Sequence, residues 1–169
     1  NSEEGDFELS FSFLQENYFD KVNLQKRNKM LDIGFGNAKL IECVTEKYEI
    51  ECFGIEINHE KFKKAKSNYP ELHNKLFLGN PSEHFESDTF DLITMFDVIE
   101  HIPDPMHFLK TQVYPLLRNN GVFIFQTPNK YTNSIKETIE WKSFSNWKKE
   151  HCSLQTPKSL SLLLSNTNF

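Results

Sequence analysis

From Lys29 onward the chain alternates short apolar runs, turns and segments whose apolar residues recur at helical spacing, which is how consecutive βαβ units of a parallel sheet read in sequence. The first run, Lys29 to Ile33 (KMLDI), stops at Gly34-Phe35-Gly36-Asn37. Beyond it Leu40, Ile41, Cys43, Val44 and Tyr48 form a stripe that predicts a helix from about Asn37 to Lys47, with Asn37 as its N-cap. Glu51 to Ile57 reads as the second strand. Phe62, Ala65 and Tyr69 then run at helical spacing through Lys61, Lys63, Lys64 and Lys66, predicting an amphipathic helix with a solvated basic face. It should stop near Tyr69-Pro70, because proline disfavours helix at the residue before it. Leu76 to Leu78 is a short third strand, Phe90 to Phe96 (FDLITMF) and Gly121 to Gln126 (GVFIFQ) are buried-strand candidates, and Phe108 to Leu117 supplies the helix between them. Upstream, Phe7 to Val22 reads as one or two helices packed on the sheet. Downstream, a polar stretch with two Trp, Tyr131 to Cys152, precedes a short helix from Pro157 to Leu164 with Pro157 near its first turn.

Length and charge narrow the class. At about 100–200 residues per domain, 169 residues make one domain with one core, divided here into an N-terminal helical cap (1–28) and the α/β body (29–169). The net charge of −5 argues against a broad nucleic-acid surface, which needs clustered Lys and Arg. No run approaches the roughly 20 apolar residues of a membrane span, and the opening NSEEGDF has no signal-peptide pattern, so a cytoplasmic protein is expected. Cys43, Cys52 and Cys152 are odd in number and far apart; they suggest buried packing rather than a disulfide framework or a cysteine zinc site.

Three clusters carry candidate chemistry. The turn Asp32-Ile-Gly34-Phe-Gly36 joins the first strand to its helix; residues without Cβ let backbone approach a ligand, and a helix start offers free N–H groups, which suits a nucleotide-type ligand. Tight strand-to-helix turns also need glycine for structure alone. The third glycine of the dinucleotide fingerprint is missing, which disfavours a nicotinamide oxidoreductase. Glu56, at the end of the second strand and twenty residues after Gly36, can accept hydrogen bonds from both ribose hydroxyls of an adenosine while Ile57 lies on the adenine face.

MLDIGFGNA, GIEIN and FDLITMFDVIEHIPDP followed by GVFIFQTPN stand in the order of the class I S-adenosylmethionine-dependent methyltransferases, which the chain resembles from residue 29 to 169. The resemblance implies a Rossmann-like doubly wound, mostly parallel sheet flanked by helices. It also implies a sixth and seventh strand after the 157–164 helix; the sequence stops at Phe169, so either the natural protein continues or a terminal piece or internal loops are omitted. By that resemblance Asp32, Gly34 and Gly36 line the methionine and ribose side, Glu56 holds the ribose, Asn80 reads the adenine amino group, and Phe96 faces the methionine portion. Ala38 replaces the usual last glycine of the motif.

The third cluster, Asp97-Val-Ile-Glu100-His101, lies just past the fourth strand. If this segment turns helically, the two acids and the imidazole share a face and could hold a divalent cation such as Mg2+, with His151 returning as a fourth ligand. They could equally cap the next helix or anchor a loop. The triplet is similar to two metal-dependent branches of the family, the ubiquinone-biosynthesis O-methyltransferases and the small-RNA 3′-end 2′-O-methyltransferases. The resemblance thus implies methylation of a small-molecule hydroxyl with a small-molecule acceptor as partner, or, second, of an RNA terminus. His101, Glu100 and His151 are the candidate catalytic residues, working by metal activation or with a histidine as general base. A degenerate fold serving only as a binding subunit is the remaining alternative, and the retained Gly34, Gly36 and Glu56 speak against it. Trp141, Phe144 and Trp147, at helical spacing, are read as packing residues.

Overall fold

The computed structural model describes residues 11–129 and 151–169. Five strands, β1 (Lys29–Ile33), β2 (Glu51–Glu56), β3 (Leu76–Leu78), β4 (Phe90–Phe96) and β5 (Leu117–Gln126), form one sheet in the order β3-β2-β1-β4-β5, and every pairing is parallel. Residues 11–17 form a helix, α1. It is followed by a single 3-10 turn at Phe19–Lys21. The connections carry α2 (Lys39–Tyr48), α3 (His59–Asn68) and α4 (Pro105–Phe108), and α5 (Pro157–Ser165) follows β5 in the chain. Successive strand residues point to opposite faces, and both faces are covered. Met30, Cys52, Leu76, Leu92 and Ile124 pack under α2, with Phe11, Leu14 and Phe19 of the N-terminal segment joining them. Leu31, Ile33, Ile55, Ile93 and Met95 pack on the other side with Leu109, Val113 and Leu163.

The predicted strands are present, with corrections at their ends. β2 stops at Glu56, so Ile57 belongs to the loop and is 77% exposed. β5 begins four residues early, at Leu117, because the chain pairs Phe90 with Leu117 before bulging and resuming at Leu92 with Val122; the polar Arg118, Asn119 and Asn120 fill the irregularity. α2 starts at Lys39, and its N-cap is Ala38 in the left-handed region (φ 62°) instead of Asn37, whose side chain accepts from the Lys39 N–H at 3.1 Å. The single helix expected over Phe108 to Leu117 is instead a composite. Asp104 caps α4, a π turn follows at Leu109–Val113, and a 3-10 turn at Tyr114–Leu116 contains Pro115, which cannot continue an α ladder. α3 ends at Asn68, just before the Tyr69-Pro70 stop read from the sequence, and its cap is Asn58, which the sequence reading did not name. Of the three cysteines only Cys52 is buried, its thiol pushed up to about 11 chiefly by burial; Cys43 is half-buried and Cys152 exposed. Trp141, Phe144 and Trp147 lie outside the described residues. No helix among the described residues is long and apolar enough to cross a membrane.

Gly54, inside β2, marks where α2 sits on the sheet: a Cβ there would come within 2.4 Å of Ile41 and 2.6 Å of Phe35. The glycine-rich loop is therefore held at a set height above the strand ends.

Candidate functional site

In a parallel sheet every strand delivers its carboxyl end to one edge, and the strand order reverses direction at β1, where β4 lies on one side and β2 on the other. A crevice opens above such a reversal. Two cavities occupy this edge, of about 490 and 570 Å3. Glu56, Ile57, Asn58, Asn80, Val98 and His101 are among the residues that line the first. Asp32, Asn37, Phe96 and Gln126 line the second, with Phe13 and Leu14 of α1 on its outer side. Gly34 and Asp97 border both.

Glu56 is 6% exposed and works as a crosslink: its Oε2 accepts from the Gly36 N–H at 3.1 Å and its Oε1 from the Asn58 N–H at 2.8 Å, tying the loop after β1 to the loop after β2. A carboxylate has about four acceptor positions, so two remain for the vicinal hydroxyls of a ribose. The two loop glycines differ in purpose. At Gly34 (φ +79°) a Cβ would meet Val98 Cγ2 at 2.3 Å, so this glycine is required by packing as well as by conformation. At Gly36 (φ +56°) the nearest atom to a Cβ is 4.0 Å away, which leaves room for a ligand. Asn80 is exposed at the cavity rim, where its side chain forms a reciprocal capping box with Glu83, the amide donating to Glu83 Oε1 at 2.8 Å. These residues could hold an adenosine: a carboxylate with acceptor positions left for the ribose hydroxyls, an exposed aliphatic side chain at Ile57, and an amide at the rim.

Asp32 is 4% exposed and accepts from Thr94 Oγ1 at 2.7 Å. Burial pushes its carboxyl up to about 7 against that hydrogen bond, and the neighbouring Glu56 charge adds to the rise. A cationic group arriving in the second cavity would favour its ionised form.

The third cluster is partly assembled as expected. Donor atoms of Glu100, His101 and His151 lie within 4.8 Å of one another, and the two imidazole rings are 4.5 Å apart. Asp97 stands outside this trio. Only Ile99–His101 makes a helical turn, and Asp97 itself takes a left-handed backbone (φ 52°), so the i, i+3, i+4 face predicted from Asp97 does not form. Its carboxyl is raised by burial and by Glu100, with His101, His151 and the Gln126 side chain acting in the opposite sense. Glu100 is 1% exposed. Its Oε2 accepts from Thr127 Oγ1 at 2.9 Å, while Oε1 has no hydrogen-bond partner among the described residues. Its backbone carbonyl accepts from the Cys152 N–H at 2.7 Å and the Ser153 N–H at 3.1 Å, and Cys152 Sγ reaches the His101 carbonyl at 3.4 Å. This clamp carries His151 to His101 across fifty residues of sequence. Thr94, Thr127 and Gln126 were not singled out by motif, yet Thr127 and Gln126 carry a usable signal: each is a polar residue at or just beyond the carboxyl end of a strand.

Comparison with known proteins gives these features a family. Residues 10–169 match the family described as "Methyltransferase domain". A ubiquinone biosynthesis O-methyltransferase from Pasteurella multocida is 30% identical over 115 residues, covering 60% of this chain and 47% of that protein. The chain spans about half the length of the curated relatives it matches. Among solved structures, an S-adenosylmethionine-dependent methyltransferase from Archaeoglobus fulgidus superposes with a TM-score of 0.71 at 19% identity, covering 96% of this chain and 68% of that one. Phosphoethanolamine N-methyltransferase 2 from Haemonchus contortus, solved with S-adenosylmethionine, superposes at 0.73 with 17% identity, covering 96% of this chain and 36% of that one. The five-stranded parallel sheet, the glycine loop stapled to an acid at the end of β2, and the profile match over residues 10–169 make this chain a member of the class I S-adenosylmethionine-dependent methyltransferase family.

Proposed function

We propose that the chain catalyses O-methylation of a small-molecule hydroxyl, with S-adenosylmethionine lying across the two cavities and the Glu100, His101, His151 trio receiving the acceptor's proton. The observation that carries this reading is the trio itself, on the rim of the Glu56 cavity through His101. S-adenosylmethionine supplies an electrophilic methyl carbon on a sulfonium. The chain's residues then have placing to do: Glu56 accepts from the ribose, Ile57 and Asn80 meet the adenine, the Gly34 to Gly36 backbone passes beneath, and Asp32 and Phe96 face the methionine part. Holding the two reactants in line accounts for much of the acceleration in such a displacement.

An amine brings its own lone pair, but a hydroxyl must lose a proton. His101 is exposed enough to meet an acceptor, His151 stacks against it, and buried Glu100 supplies the negative charge that an imidazolium beside it would need. The relatives' names point the same way, being O-methyltransferases, whereas the fold is also that of a named N-methyltransferase, so fold alone selects no acceptor.

A divalent cation is the second reading, favoured by the unpartnered Glu100 Oε1 beside two imidazoles. One carboxylate and two nitrogens suit a zinc-like or iron-like ion better than Mg2+, which prefers oxygen donors. Production of S-adenosylhomocysteine from hydroxyl-bearing acceptors tests the proposal. His101→Ala should cut turnover about 100-fold or more while cofactor affinity stays. Cofactor affinity lost in that variant would make His101 scaffold instead. Chelator-resistant turnover would retire the cation and leave the histidine base.

A further inference from the structure

We propose that Asp97 is the anionic contact for the cofactor's sulfonium, a role apart from the Glu100, His101, His151 trio. The inference rests on the reading that S-adenosylmethionine spans both cavities.

The first argument is position. Of all the lining residues, Gly34 and Asp97 alone border both cavities, and of these only Asp97 has a side chain. A molecule with its adenosine beside Glu56 and its amino-acid end beside Asp32 must pass its midpoint through that junction. In S-adenosylmethionine the atom at the midpoint, bonded to both halves, is the positively charged sulfur.

The second argument is how Asp97 is held. Its N–H donates to the Gln126 carbonyl at 3.0 Å, joining the ends of β4 and β5, and its backbone sits at φ 52°. That conformation costs a non-glycine residue some free energy, and aspartate tolerates it better than most. Held this way, the backbone of Asp97 stays outside the helical turn Ile99–His101 that carries Glu100 and His101.

The third argument is charge. Asp97 is exposed, and among the described residues its carboxyl is repelled by Glu100, is eased by the imidazoles of His101 and His151, and shares a hydrogen bond with the Gln126 side chain. A cation at the junction attracts this carboxylate and offsets the repulsion from Glu100.

S-adenosylhomocysteine is the matched probe, because it keeps every other group and lacks the methyl and the positive charge. Isothermal titration of the chain with both compounds should show that Asp97→Asn weakens S-adenosylmethionine roughly tenfold while leaving S-adenosylhomocysteine within about twofold. Asp97→Gly, which accepts the positive φ without strain, should do the same. Glu56→Ala serves as the contrast, since the ribose is common to both ligands and both should weaken alike. Partial unfolding lowers both apparent affinities by one factor, so the ratio is insensitive to it. Equal losses for both ligands in the Asp97 variants, or no loss, would overturn the assignment while the cofactor reading stands. Failure of the parent chain to bind either compound would overturn the cofactor reading and this inference with it.

Discussion

The buried carboxyl of Asp32 should give the unliganded protein a pH-dependent weakness that one substitution removes. In the unfolded chain Asp32 ionises near the ordinary 3.8, and in the fold near 7, so folding prefers the protonated form. A raised carboxyl contributes its stability in full below the unfolded value and loses it as pH climbs through the folded one. The difference between the two values corresponds to a ceiling of roughly 4 kcal/mol, of which about 2.5 kcal/mol is lost between pH 5 and pH 8. Asp32→Asn cannot titrate, and its amide oxygen can still accept from Thr94 Oγ1. Denaturant unfolding of both proteins across that range should show the variant gaining on the parent by about 2–3 kcal/mol from pH 5 to pH 8, equivalent to several degrees in melting temperature for a domain of this size. Comparing the two proteins cancels the histidines and other groups that titrate in both. The same variant should bind S-adenosylmethionine less well, since the ionised carboxylate is what a cationic end would meet. Parallel stability curves for parent and variant would show that Asp32 ionises freely in the fold, and the account of its burial would be wrong.

Further outcomes follow from the loop geometry and the trio. Gly34→Ala should destabilise the fold by more than about 2 kcal/mol in a thermal melt, because strain at φ +79° adds to a 2.3 Å clash with Val98. Gly36→Ala has space for its methyl and should cost about 1 kcal/mol of stability, with the larger effect on cofactor titration. Glu56→Ala removes two charge-assisted bonds to the ligand, on the order of 1.5–3 kcal/mol each at most, and also releases Gly36 and Asn58; cofactor affinity equal to the parent's would sink the ribose assignment. Thr127→Val should remove the hydrogen bond on Glu100 Oε2, whose other oxygen has no partner among the described residues, and lower the melting temperature, whereas Thr127→Ser should keep it.

Much of this was legible in the chain because its determinants are local. FDLITMF is an apolar run with no interrupting turn residue, the form of a strand buried on both faces, and the GFG turn and Glu56 fall at the ends of such runs. What escaped depends on neighbours distant in sequence. That Gly34 is needed for Val98 and Gly54 for Ile41 and Phe35 follows only from how α2 and the loop after β4 stack on the sheet. The polar Arg118-Asn119-Asn120 looks like a loop, yet strand pairing with Phe90 begins before it at Leu117. Asp97 shares its spacing with a helical metal motif, and a single positive φ, invisible in the residue string, takes its backbone off the helical path. His151 was placed with His101 by resemblance; the reason they meet, two main-chain N–H groups on one carbonyl, leaves no trace in side-chain chemistry.

That main-chain clamp bears on how such a domain can diversify. Cys152 and Ser153 hang from the Glu100 carbonyl, and Asn129 pairs with Gln155, so the two chain ends flanking residues 130–150 are fastened to each other and to the turn after β4. Doubling the length of a closed segment adds only about 0.6 kcal/mol of closure cost. These ties fix where the chain leaves and re-enters the carboxyl edge of the sheet, so a relative with a different number of residues between them can keep both points at little cost in closure.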